Sequence, residues 1–165
     1  MYDHYDQNPY AHMKRDCECK HRKIQPCQKV SAFKAVKDLF QFILGSTPNQ
    51  VIYPVEVFDS NNEYNPDTST FVPKSNGIYT FTASIFLPIY TGTPYSAFVG
   101  IRVNGEIVAG NQETITSPNA IVATSSHLET RRGDEVQVVA SSPSGATIEI
   151  EVNPIATRFE GAKIG

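Results

Sequence analysis

Three cysteines and a histidine stand close together near the start of the chain: Cys17, Cys19, His21 and Cys27. Thiolate and imidazole are the ligands that tetrahedral zinc takes, and Cys₃His is an established donor set. The Cys17-Glu18-Cys19 spacing is tighter than the common C-x₂₋₄-C, and no second such pair follows. The same thiols admit two other readings. Cys17, Cys19 and Cys27 are an odd set, which in an oxidising compartment leaves a thiol for a disulfide or cross-link to a partner chain. In a reducing compartment they stay free on a polar segment.

Two further groups of residues could do chemistry. Asp59, Asn61, Asn62, Glu63 and Asp67 form an oxygen-rich stretch of the kind a calcium ion takes, but the ligand order of an EF-type loop is absent. Read without a metal, the stretch is a solvated loop with Asx turns. Arg132-Gly133-Asp134 spells an adhesion tripeptide, and equally a tight turn between two strands. His127 stands alone in a strand-like segment. With no G-x-S-x-G, H-E-x-x-H or phosphate-loop pattern, nothing announces a catalytic site, and no enzyme activity is expected.

The elements that must position these residues are strands. Gly77–Leu87 alternates cleanly, with Tyr79, Phe81, Ala83, Ile85 and Leu87 on one face and Thr80, Thr82 and Ser84 on the other. Ala97–Val103 and Glu106–Ala109 flank Asn104-Gly105, which predicts a hairpin with a type I′ turn. Ala120–Thr130 and Glu135–Ala140 join through residues 131–134. Further strands are predicted over Val51–Phe58, Thr68–Pro73, Thr147–Val152 and Ala156–Ile164. Ser31–Leu44 reads two ways. Phe33, Val36, Phe40 and Ile43 recur at helical spacing, while Val30–Ala35 suits a strand. About ten short strands without a firm helix imply a sandwich or barrel.

Composition agrees. The 165 residues include 11 Pro and 10 Gly, and the 14 basic against 17 acidic side chains give a net charge of −3, far from the basic balance of a nucleic-acid binder. No apolar run is long enough to span a bilayer. Met1–Tyr10 is polar and acidic and does not read as a secretory leader. Residues 1–29 hold all the cysteines, three of the four histidines and few apolar residues. They are expected to be a tail, with residues 30–165 the folded domain.

Several motifs then occur in order. Ser31-Ala32-Phe33-Lys34-Ala35 is followed by Val57-Phe58-Asp59, Tyr64-Asn65 and Phe71-Val72-Pro73. Next come Gly77-Ile78-Tyr79-Thr80-Phe81-Thr82, Val103-Asn104-Gly105, Gly133-Asp134-Glu135-Val136 and Phe159-Glu160-Gly161. Over residues 30–165 this resembles the C1q-like globular domain of the tumour-necrosis-factor-like superfamily. It departs from that pattern in one extra residue between Pro73 and Gly77, in Thr130 where leucine is usual, and in lacking a collagen repeat. The resemblance implies an all-β, ten-stranded jelly-roll sandwich that assembles as a homotrimer, with Phe71, Tyr79, Phe81, Val136 and Phe159 in the core. Ile78, Phe86 and Val139 then fall on outward faces, where a subunit interface would cover them.

The family includes complement recognition heads, hormones and the heads of bacterial spore-surface proteins. The chain is therefore expected to be a non-enzymatic structural or recognition protein of a spore coat or outer spore layer, anchored through its tail among other spore-surface proteins. The alternative is a soluble C1q-like module that recognises a ligand or receptor through trimer loops. No cofactor is expected beyond the zinc and calcium readings above, and neither nucleic acid nor a membrane span is expected.

Overall fold

The alternation of Gly77–Leu87 becomes an eleven-residue strand, because its two faces meet different surroundings. Tyr79, Phe81, Ala83, Ile85 and Leu87 are fully buried, while Ile78, Thr80, Thr82 and Phe86 point to the outside. The computed structural model describes residues 30–89 and 91–165. The proposed tail, with Cys17, Cys19, His21 and Cys27, lies outside the described residues.

Thirteen strands run through the described chain: β1 (Ala32–Val36), β2 (Gln41–Leu44), β3 (Asn49–Gln50), β4 (Val55–Asp59), β5 (Tyr64–Asn65), β6 (Thr70–Phe71), β7 (Gly77–Leu87), β8 (Tyr95–Val103), β9 (Glu106–Ile115), β10 (Ala120–Thr130), β11 (Val136–Ser141), β12 (Thr147–Ile150) and β13 (Arg158–Lys163). One sheet has the order β10-β7-β13-β1-β4. A second has the order β5-β6-β11-β8-β9, with β3 also paired to β11, and β12 pairs β2 in a small third sheet. From β6 onward the chain crosses repeatedly between the two main sheets, and only β8 and β9 follow one another as a hairpin within one. All the pairings are antiparallel. This is a jelly-roll sandwich.

The sheets close on an aromatic core. Phe33 stacks on Phe71 at 4.6 Å between ring centroids and on Tyr64 at 5.1 Å, and meets Phe159 edge-on at 4.9 Å. Phe71, Tyr79, Phe81, Val136 and Phe159 are all buried. Two glycines are dictated by this packing. A Cβ on Gly161 would lie 2.7 Å from the Phe81 ring and 2.8 Å from the Thr80 carbonyl, and one on Gly77 would lie 2.3 Å from the Gly165 carbonyl. On the outer face of the second sheet the Phe98 ring covers Gly100 and Gly110, which face each other across β8 and β9.

Ser31–Leu44 holds no helix. Its backbone is claimed by distant strands, β4 and β13 for β1 and β12 for β2, and long-range pairing overrides the local helical spacing. Phe40, which the helical reading grouped with Phe33 and Ile43, is exposed. The strand expected over Val51–Phe58 is confined to its second half. Pro54 intervenes, and Val51 and Tyr53 enter the core through single bonds, Val51 N–H to Val138 O at 2.9 Å and Tyr53 N–H to Ser69 Oγ at 2.8 Å. The strands beyond the expected ten include two-residue pairings such as β3 and β5. Val139 is fully buried within the single chain, whereas Ile78 is exposed. Val139 lies between Gln50 of β3 and Gly100 of β8, so this chain covers it without a subunit partner.

Candidate interaction surface

Both ends of the described chain meet at one end of the sandwich, termed proximal here. Ser60 Oγ donates to Val30 O, Lys163 N–H donates to Ser31 O at 2.8 Å, and Ile78 N–H donates to Gly165 O at 2.9 Å. The hairpin turn at Asn104-Gly105 and the turn at 131–135 lie at this same end. Asn104 and Gly105 both have positive φ, 50° and 90°, as a type I′ turn requires.

Arg132-Gly133-Asp134 is held into the fold from three sides. Gly133 N–H donates to Pro73 O, Arg132 N–H donates to Asn76 Oδ1, and the Asp134 carboxylate accepts from Arg131 N–H at 2.8 Å and Asn104 Nδ2 at 2.9 Å. The Arg131 bond, with the Asn104 bond behind it, holds the Asp134 carboxyl below its usual pKa. An adhesion ligand needs that carboxylate free, and here it braces a turn.

In the oxygen-rich stretch two of the three carboxylates, Asp59 and Glu63, are taken up by the fold, while Asp67 is exposed. Asp59 accepts from Asn61 N–H at 3.0 Å and Tyr64 N–H at 2.6 Å. Glu63 is buried, accepting from Ser31 Oγ and from Lys74 N–H. Asn65 Oδ1 accepts from Asp67 N–H. Among the described residues no three Asp, Glu, His or Cys side chains converge as a metal cluster. His127 is exposed on β10, across from Thr80.

Sequence reasoning missed two buried polar features. Lys37 is 3 % exposed, and its Nζ donates to Gln41 Oε1 and Ile52 O, both at 3.0 Å. Burial pulls its pKa down to about 8, against a smaller upward pull from Asp38. The phenols of Tyr53 and Tyr64 are pushed far above their ordinary pKa, chiefly by burial. They donate to the carbonyls of Ser84 and Tyr53 respectively, and so act as neutral struts.

The open apolar surface lies on the first sheet and on the two flanks of the sandwich. Strand β4 is an edge that exposes Val55, Val57 and Phe58. A bulge between Lys34 and Ala35 breaks its register with β1. Beside Phe58 a shallow groove of about 260 Å³ crosses Ala32, Thr80, Thr82 and Ala162. Glu160 borders it, 3.1 Å from Arg158 and 3.9 Å from Lys34. The opposite flank ends in β9, which packs beside β10 and exposes Ile107 and Val108. At the distal end Leu39, Phe40, Phe42 and Leu44 are exposed, with Phe40 edge-on to Phe42 at 5.4 Å.

No protein-family model and no curated protein sequence matches the chain. Solved structures match its backbone path. The globular domain of zebrafish complement 1qA is 14% identical, covering 82% of this chain and 98% of that one, with a TM-score of 0.53. Murine APRIL at pH 8.0 is 15% identical over 82% of this chain and 100% of its own, with a TM-score of 0.60. Eiger, a TNF from S. frugiperda, is 12% identical over 84% and 94%, with a TM-score of 0.54.

The fold is the C1q/TNF-like jelly roll. Within this fold the motif residues have physical roles. Gly161 admits the Phe81 ring, Gly77 admits the C-terminal strand, and Gly133-Asp134 locks one proximal turn to another. No helix among the described residues is long and apolar enough to cross a membrane.

Proposed function

We propose that the chain is a non-enzymatic recognition module that works as a cyclic homotrimer. The observation that carries this is the exposure of apolar side chains on opposite flanks, Val55, Val57 and Phe58 on β4 and Ile107 and Val108 on β9. Apolar clusters on a soluble domain mark contact surfaces. Two unlike surfaces that meet head to tail close into a ring when the rotation allows. The C1q and TNF-type structures that share the fold support this reading. In light scattering the chain is expected at three times its 18.2 kDa mass, and Phe58→Asp or Val108→Asp at lower mass with the fold retained. A monomeric wild type overturns it.

With the described termini at the proximal end, residues 1–29 would tether that end and the distal loops would face outward. We place the module in a bacterial spore coat or outer spore layer, among other surface proteins. This finer reading rests on the sequence resemblance to spore-surface heads. Cofractionation with purified spores, lost on removal of residues 1–29, is its test. Saturable binding of a soluble ligand without spore association would favour a free binding module instead.

A further inference from the structure

The chain contains two Asn-Gly steps, Asn76-Gly77 and Asn104-Gly105. An asparagine before glycine is prone to one particular self-reaction. The glycine nitrogen attacks the side-chain carbonyl carbon, a C–N bond forms, the bond to the amide nitrogen breaks and ammonia leaves. Water then opens the five-membered imide to aspartate or isoaspartate. No oxidant or metal is needed. Glycine favours the reaction because it lacks a Cβ and leaves the backbone free to close the ring.

Both steps lie at the proximal end and both are held by the 131–135 turn, but to different degrees. The Asn76 main-chain carbonyl accepts from Lys163 Nζ at 2.9 Å, and the Asn76 carboxamide is held at one atom, its Oδ1 accepting from Arg132 N–H at 2.8 Å. Asn104 is held at both. Its Nδ2 donates to Asp134 Oδ1 at 2.9 Å and its Oδ1 accepts from Glu135 N–H at 2.9 Å, while its own N–H donates to Glu135 O at 2.9 Å. Asn104 is nonetheless on the surface, open to water. Ring closure needs the side chain to swing against Gly105, and the two carboxamide bonds oppose that swing.

We propose that Asn104 is a guarded deamidation site, with Asp134 as its guard and water as the only co-reactant. Loss of the guard releases the reaction, and the reaction then destroys the guard's own contact. Aspartate at position 104 presents an oxygen where Nδ2 had donated to Asp134, so an attractive contact becomes a like-charge one. The 131–135 turn is also bonded to Pro73 and Asn76, so it ties together the β6–β7, β8–β9 and β10–β11 connections, and the change breaks only its tie to β8–β9. The modification is one-way and sits at the end where residues 30–31 meet the C-terminal strand.

The test is peptide mapping of the full chain after prolonged incubation at neutral pH, scoring conversion at Asn76 and Asn104 separately. In folded wild type Asn104 is expected to convert at least about tenfold more slowly than in denaturant, the equivalent of one charge-assisted hydrogen bond. Asp134→Ala is expected to speed Asn104 and leave Asn76 unchanged. Asp134→Asn keeps an acceptor oxygen and is expected to stay slow. Wild-type Asn104 reacting as fast as in denaturant overturns the proposal, as does no change in Asp134→Ala. A joint rise at both sites in Asp134→Ala also overturns it, because that signals general opening rather than a local guard.

Discussion

Gly161 lies directly beneath Phe81: a Cβ built on it would sit 2.7 Å from the phenylalanine Cδ1 and 3.0 Å from the Phe33 ring. Its main chain is meanwhile in register with Phe33 on β1 and Phe81 on β7. Glycine is therefore required by close approach of two aromatic rings. Gly161→Ala is expected to cost about 1–3 kcal/mol through overpacking, read from the urea midpoint at unchanged slope. An unshifted midpoint would show that the rings can move aside.

Thr130 offers the opposite case. It is fully buried, and its Oγ1 has no hydrogen-bond partner among the described residues. An unpaired buried hydroxyl costs about 1–3 kcal/mol. Thr130→Val keeps the shape and removes the hydroxyl, so thermal melting is expected to rise by a few degrees. A lower melting temperature would show that the hydroxyl has a partner after all.

Lys37 sets a pH dependence of definite sign. Its folded-state pKa of about 8 lies below the unfolded value of 10.5. Between those values the unfolded chain holds more protons, so stability rises as pH increases from about 8 to about 10.5. Below that window both states carry the charge and the folded state bears the cost of burying it. The gain across the window is on the order of 2–4 kcal/mol. Chemical denaturation across the alkaline range should show this rise in wild type and a flat line at this contribution in Lys37→Met. A variant with the same slope as wild type would assign the titration elsewhere.

The buried core draws on residues from Phe33 to Phe159. A chain lacking residues 1–29 is therefore expected to unfold cooperatively, with a melting temperature close to that of the full chain. A molten or insoluble product would place part of the folding unit before residue 30.

The strands that could be read directly were those with enough residues to show a period. β7 and β10 each give eleven residues of alternation, and the ladder pairs them end to end, Gly77 with Thr130 and Leu87 with Ala120. β3 and β5 have two residues each, too few for any pattern, and exist because β11 and β6 offer them partners, whereas the equally short β6 falls inside the strand expected over Thr68–Pro73. Val139 misled because alternation assigns a face and says nothing of what lies over that face. Lys37 was invisible for the same reason. Its sequence neighbours are ordinary, and its burial arises from Gln41 and Ile52, which only the fold brings to it. In the candidate surface, Ile78 and Phe58 were legible as apolar residues, but the flank that joins Val57 to Phe58 depends on the β4 bulge.

The ring of Phe98 over Gly100 and Gly110 has a consequence for β9 as an edge strand. An open edge can slide along its neighbour or accept a foreign strand. If β9 slipped two residues in either direction, Val108 or Gln112 would replace Gly110 beneath the ring, and its Cβ would meet the ring where Phe98 now lies. The aromatic ring thus acts as a gauge that only one alignment of the hairpin passes. A strand from another chain could add beyond β9, but to take β9's place with the ring where it lies it would have to offer a glycine at the same position.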